Sequence, residues 1–140
     1  DVAEVALAAK VDGLVVSNTT LARNGLGATP LAKETGGLSG RPLFHRSTVV
    51  LARIRRLVGP DLPIVGVGGI DSGETAWEKL RAGATLLQVY SGLVYEGPGL
   101  VGRILDHFAA RLDREGLSSL AEVVGTGTED WAARDPDGRG

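Results

Sequence analysis

The chain has 140 residues, 43% of them hydrophobic, which is the length of one domain with enough apolar side chain for a sizeable core. Fifteen basic residues against seventeen acidic ones leave a formal net charge of -2 with no long run of either sign, so the electrostatic footprint of a nucleic-acid or anionic-membrane binder is absent. With no basic run, any phosphate must be held locally by backbone groups, while zero cysteines exclude disulfides and thiolate zinc sites and two isolated histidines make a poor metal site.

The first residues carry no initiator Met, no basic n-region and no long apolar run, which argues against a signal or transit peptide. Val2, Val5, Ala6 and Ala9 recur at helical spacing, so the chain is expected to open inside a helix whose start lies upstream, as a piece of a longer protein. No apolar stretch reaches the roughly 18 to 20 residues of a membrane span, and any membrane attachment is expected in residues outside this sequence.

Gly13 to Asn18 is an apolar run that ends in polar residues and reads as a buried parallel strand. Thr19 to His45 shows little periodicity and much Gly, Thr and Pro; so long a loop is more often functional than not. Ser47 or Thr48 is expected to open a helix in which Val50, Ile54, Leu57 and Val58 share a face, Arg53, Arg55 and Arg56 are solvated, and Gly59-Pro60 is the stop. Leu62 to Ile70 is the second strand. Asp71, with Glu74 three positions on, reads as the cap of a helix lined by Ala76, Trp77 and Leu80 and ended by Gly83. Ala84 to Tyr90 is the third strand, and Leu100, Ile104, Phe108 and Leu112 mark the longest helix, ending near Gly116. Ser119 and Glu122 form a capping box for a short helix, and the polar stretch from Thr126 to Gly140 reads as a mobile tail.

The resulting order, α-β-α-β-α-β-α, is that of a parallel α/β protein. A doubly wound sheet carries its phosphate glycines directly after the first strand. Here they lie in the second of three strands, and polar residues recur at every strand end. That favours a TIM (β/α)8 barrel, whose chemistry is built at the C-terminal strand ends; residues 1–125 would supply its last three strands and their helices.

Gly66-Val67-Gly68-Gly69 runs from an apolar strand towards a capped helix, where missing Cβ atoms and peptide N–H groups suit a phosphate. The next strand ends in Tyr90-Ser91-Gly92, and barrel phosphate sites are frequently built from the last two strands. The competing reading is that these glycines serve tight turns only. Gly36-Gly37-Leu38-Ser39-Gly40 could equally be a flexible linker, and Asn18 an ordinary loop amide; beside them, Ser17, Asn18, Thr19 and Thr20 can orient a small polar substrate without adding charge. His45 reads as a loop residue, His107 as a helix-face residue and Trp77 as core. No carboxylate pair and no Ser/His/Asp set emerges, so the chemistry is expected to belong to a cofactor.

Taken together, Val15 to Thr20, Glu34 to Leu43, Gly66 to Ile70 and Gln88 to Gly92 resemble the dihydroorotate dehydrogenase family, in particular its quinone-linked class. The resemblance runs from about Val2 to Gly125, and the ordered set is far more specific than any one block. It implies an FMN-dependent oxidation of dihydroorotate to orotate in pyrimidine (UMP) biosynthesis, with a quinone as acceptor. It also implies that Ser17 contacts the flavin, that Asn18 and Thr19 bind substrate, and that Gly40, Gly68, Gly69, Tyr90 and Ser91 bind FMN, the last three around its phosphate. Ser17 stands where the family often has Thr and Arg41 where it often has Lys.

By the same resemblance the catalytic serine, a flavin-contacting lysine and the quinone-binding helices lie upstream. No residue of this chain is then the catalytic base, the segment alone is expected to be inactive, and membrane association is peripheral and through the upstream part; without the quinone link the location is cytoplasmic. Two alternatives stay open: another FMN barrel, such as a hydroxy-acid oxidase, sharing only the phosphate site, and a non-catalytic half-barrel whose unpaired strand edges promote self-association.

Overall fold

A computed structural model describes residues 2–23, 26–27 and 30–138. Three parallel strands, β1 (Leu14–Val16), β2 (Ile64–Val67) and β3 (Leu86–Gln88), pair in the order β1-β2-β3. The α/β class and the parallel arrangement expected from the sequence therefore hold. Six α-helices are described: α1 (Val2–Ala9), α2 (Phe44–Val58), α3 (Gly73–Arg81), α4 (Ser91–Glu96), α5 (Leu100–Glu115) and α6 (Thr128–Ala132). Short 3-10 turns cover Pro30–Lys33, Arg41–Leu43 and Leu120–Glu122.

The helices cover one face of the sheet. Val16 and Ile64 are buried under α2 together with Val49, Leu51 and Ala52, while Trp77, Leu80, Leu100, Ile104 and Phe108 form a second cluster between α3 and α5. On the opposite face, Val15 pairs with Val65 and Val65 with Leu86, and Val15 and Leu86 are 61% and 60% exposed. Within this chain the strands are buried by helices on one side only. The physical reason is that each strand alternates its side chains between faces and only one face has helices on it.

Several local expectations are corrected. Helix α2 begins at Phe44 rather than at Ser47 or Thr48, because the 3-10 turn with Pro42 runs directly into it. Ser47 and Thr48 are buried inside the helix; the Thr48 hydroxyl donates back to the Phe44 carbonyl at 2.6 Å, and Ser47 Oγ lies 3.0 Å from the same oxygen. His45 is accordingly a helix residue, with Nε2 2.8 Å from the Asp135 carbonyl oxygen. Helix α3 is capped by Ser72, whose Oγ accepts from the Thr75 N–H at 3.2 Å, not by Asp71 and Glu74. The long segment 19–45 is partly organised, by the turns named above and by an antiparallel bridge between Thr20 and Leu38, although 24, 25, 28 and 29 lie outside the described residues.

Arg55 departs furthest from expectation. It is 6% exposed and donates from Nε and Nη2 to the Gly83 carbonyl, and from Nη1 to the carbonyls of Gly59, Pro60 and Leu62. Helical periodicity placed it with Arg53 and Arg56 on a solvated face, but the turns that flank β2 and β3 lack donors for these carbonyls. A guanidinium supplies several donors from one side chain.

The C-terminal stretch is not a mobile tail as far as residue 138. Trp131 of α6 is 5% exposed, packs edge-on against Phe44 at 6.0 Å between ring centroids, and donates from Nε1 to Glu78 Oε2 at 2.9 Å. The Arg134 guanidinium lies 3.9 Å from the Trp131 ring, and Arg53 donates to the Ala132 and Arg134 carbonyls. One tryptophan in a polar run has no periodic partners, so the sequence pattern did not show that it docks.

Candidate cofactor and substrate cleft

The C-terminal ends of all three strands open onto one cleft of about 380 Å3. Ser17, Asn18 and Thr19 follow β1 and line one wall; the Asn18 side-chain oxygen accepts the Thr19 N–H at 2.8 Å, which turns the chain away from the strand direction. Gly68 and Gly69 follow β2 and form the floor. Tyr90 and Ser91 follow β3, and Gly40 closes the far side from the loop before α2.

The glycines of the floor are required by geometry. Gly68 and Gly69 have φ of 105° and 75°, in the region that side chains avoid. A Cβ on Gly69 would lie 2.5 Å from the backbone of Phe44, so the first turn of α2 presses directly on this peptide. Among the described residues the buried Gly69 N–H has no hydrogen-bond acceptor. An unpaired peptide donor without a side chain in front of it fits an anionic oxygen.

The helix that meets the cleft uncapped is α4, which the sequence pattern did not show. Its N-cap, Tyr90, makes no side-chain capping bond and is 78% exposed, whereas α3 satisfies its own first turn through Ser72 and Thr75. The competing reading of the Tyr90-Ser91-Gly92 block as a turn thus gives way to a helix start, although α4 is only six residues long. Ser91 donates to Ser39 Oγ at 2.8 Å, tying the glycine-rich loop to β3. Arg41 donates to Asp71 at 2.5 Å and ties the same loop to the end of β2. Two side-chain bonds therefore hold Gly40 against the cleft.

All eight site residues expected from the sequence, namely Ser17, Asn18, Thr19, Gly40, Gly68, Gly69, Tyr90 and Ser91, line this cleft. The two histidines do not: His45 faces the C-terminal segment, and His107 on α5 has Nε2 3.3 Å from Glu74 Oε2. Sequence reasoning missed Lys79. It is fully buried behind the floor, where Nζ donates to Ser47 Oγ at 2.6 Å, and burial pushes its ammonium down to about 7. A signal existed, since Lys79 falls three positions after Ala76 on the apolar face of α3.

Comparisons with known proteins agree with this architecture. The family model described as dihydroorotate dehydrogenase matches residues 1–112. Dihydroorotate dehydrogenases (quinone) of Brucella melitensis and Brucella ovis are 59% and 58% identical over 134 residues, which is 96% of this chain and 37% of each relative. The chain thus spans little more than a third of the length of these relatives. Among solved structures, DHODH from Eimeria tenella in complex with ferulenol superposes with a TM-score of 0.83 at 35% identity, covering 89% of this chain and 33% of that one. The same protein in ligand-free form also gives 0.83. Three parallel strands with their helices accordingly correspond to about a third of such a fold, in keeping with part of a (β/α) barrel. On the family match and the identity to these relatives, the chain belongs to the dihydroorotate dehydrogenase family.

Proposed function

We propose that this chain supplies the phosphate end of an FMN site and one wall of the substrate site in an enzyme that oxidises dihydroorotate to orotate, with a quinone as acceptor, in pyrimidine biosynthesis. The observation that carries the reading is the convergence of eight residues from three strand ends and one loop on a single cleft. The quinone acceptor is supported by the printed names of the Brucella relatives.

In this reading the Gly69 N–H and the first peptides of α4 donate to the phosphoryl oxygens, and Gly40 allows the backbone to approach the cofactor closely. The Ser17 hydroxyl lies against the flavin. Asn18 and Thr19 offer an amide and a hydroxyl that can bond both donors and acceptors of a cyclic imide without adding charge. Bound flavin supplies a two-electron acceptor for the substrate. Proton removal is assigned to no residue of this chain, because among the described residues the exposed Tyr90 is the one titratable group that lines the cleft.

Membrane association belongs, in this proposal, to the part of the relatives' length that the chain does not span; no described helix is long and apolar enough to cross a membrane. The hydroxy-acid oxidase alternative shares only the phosphate end and has no support from the family match. The non-catalytic half-barrel alternative is likewise not favoured by the family match; the exposed Val15 and Leu86 mark a sheet face that further protein would cover.

The test is titration of FMN into the chain, followed by flavin fluorescence, together with an orotate-forming assay. Saturable quenching without turnover is expected. A folded chain that leaves FMN fluorescence unchanged would overturn the cofactor assignment, and measurable turnover would overturn the absence of a base.

A further inference from the structure

Behind the cleft floor runs a chain of hydrogen bonds that the proposed function does not use. Lys79 Nζ donates to Ser47 Oγ at 2.6 Å, and Ser47 Oγ lies 3.0 Å from two carbonyl oxygens, those of Phe44 and Gly68. The hydroxyl has one proton, so it can serve one of them fully. Phe44 already accepts the Thr48 hydroxyl at 2.6 Å as well as lying inside the helical ladder of α2. The Gly68 carbonyl is the less satisfied acceptor and draws the proton.

The Gly68 carbonyl and the Gly69 N–H belong to one peptide group. A hydrogen bond to the carbonyl oxygen shifts electron density along the amide and makes its N–H a stronger donor, and successive bonds polarise one another in a buried chain. That N–H has no hydrogen-bond acceptor among the described residues. We propose that Lys79 and Ser47 form a positioning relay that polarises the Gly68–Gly69 peptide and so strengthens its grip on the phosphoryl group of a flavin nucleotide. The inference rests on the cofactor reading above.

The relay has a directional requirement. An ammonium group has donors and no acceptor, so a charged Lys79 compels Ser47 to pass its own proton onward; a neutral amine has a lone pair and can take that proton itself. Burial brings Lys79 close to neutrality at physiological pH, while the Phe44 ring, 5.3 Å from Nζ, favours the charged form. Charged neighbours are engaged elsewhere. On α3, Glu78 accepts from Arg81 and Trp131, and Glu74 faces His107 and Arg111 of α5. On α2, Arg46 pairs with Asp137, Arg55 serves the carbonyls around Gly83, and His45 meets the Asp135 carbonyl. Asp71, at the end of β2, is paired with Arg41. Desolvation therefore dominates at Lys79, opposed only by the Phe44 ring.

The experiment has two arms on the 140-residue chain. The first follows the Gly69 amide by heteronuclear NMR from about pH 5.5 to 8.5 without ligand. An inflection near 7 is expected in wild type and in His45→Gln, lost in Lys79→Met and strongly reduced in Ser47→Ala. The second measures FMN and riboflavin affinity for wild type and Lys79→Met. The wild-type advantage for FMN is expected to be about fivefold below pH 7, to vanish towards pH 9, and to be absent for riboflavin, which lacks the phosphate. Taking the ratio of the two proteins at each pH cancels the ionisation of the phosphate itself. A Gly69 amide without a Lys79-dependent inflection overturns the relay whatever the flavin does. An inflection with equal FMN affinities overturns its role in phosphate binding. Failure of wild type to bind either flavin sinks the cofactor reading, and leaves the relay to be decided by the Gly69 amide.

Discussion

Arg55 of α2 holds the Gly83 carbonyl with two parallel donors, Nε at 2.9 Å and Nη2 at 2.7 Å, across a separation of 28 residues. The same side chain reaches Gly59, Pro60 and Leu62 from Nη1, so the turn before β2 and the turn before β3 share one cation. Through it, α2 sets the height at which both strands begin, and hence where their glycine-rich and Tyr90 ends emerge into the cleft.

Replacing Arg55 by Lys keeps the charge and loses the fork. The Gly83 carbonyl and at least one of the preceding turn's carbonyls would be left buried without a donor. A loss of about 2 to 4 kcal/mol is expected, measured as a lower midpoint in urea unfolding, with Arg55→Ala at least as damaging. Arg56→Lys, on the exposed side of the same helix, should change the midpoint little.

Gly69→Ala places a methyl group 2.5 Å from the Phe44 backbone and forces a side chain into a positive φ. Gly97 has a similar φ of 74°, but open space around it, so Gly97→Ala isolates the conformational term at about 1 kcal/mol. A calorimetric melt should show Gly69→Ala clearly below Gly97→Ala, and only the former should lose FMN binding. Equal melting temperatures would mean that α2 does not press on the cleft floor.

Trp131→Ala removes the indole that contacts Phe44 and Arg134 and its bond to Glu78. About 3 to 5 kcal/mol of stability should be lost, with weakened protection of α2 amides in hydrogen exchange. A mobile tail, as the polar composition of the last residues suggests, would show no effect on either measurement.

Burial of Lys79 makes stability depend on pH in a definite direction. Its folded-state value of about 7 lies below the ordinary 10.5, so between these limits the unfolded chain binds more protons than the folded one. Stability contributed at this site therefore rises as pH increases from about 7 to 10.5 and is flat below. Lys79→Met removes the titration. The variant should gain on wild type most at pH 6 and progressively less by pH 9.5, as read from urea midpoints at each pH; a constant difference across that range would contradict a neutralising lysine.

Much of the cleft was legible because its requirements are backbone requirements. A glycine at 68, 69 or 40 leaves a mark in sequence, and the family resemblance carried by those marks with the Ser17-Asn18 and Tyr90-Ser91 blocks pointed to all eight residues, which line one cleft. The cap of α3 was misplaced by one residue, since Asp71 and Ser72 are both good N-caps, and in the fold the Asp71 carboxylate accepts from Arg41 and from the Thr75 hydroxyl instead of from a first-turn N–H. Helix α4 was invisible because six residues give no periodicity to detect.

Sequence by itself determined the class of the fold and the parallel arrangement of its strands, because hydrophobic period is a local property, and the residues that ring the cleft came with the family resemblance of four ordered blocks. Only the tertiary structure decided what Arg55, Lys79 and Trp131 do. Their roles depend on partners 28, 32 and 53 residues away, and a polar or aromatic side chain carries no sign of whether such a partner will meet it in the folded state.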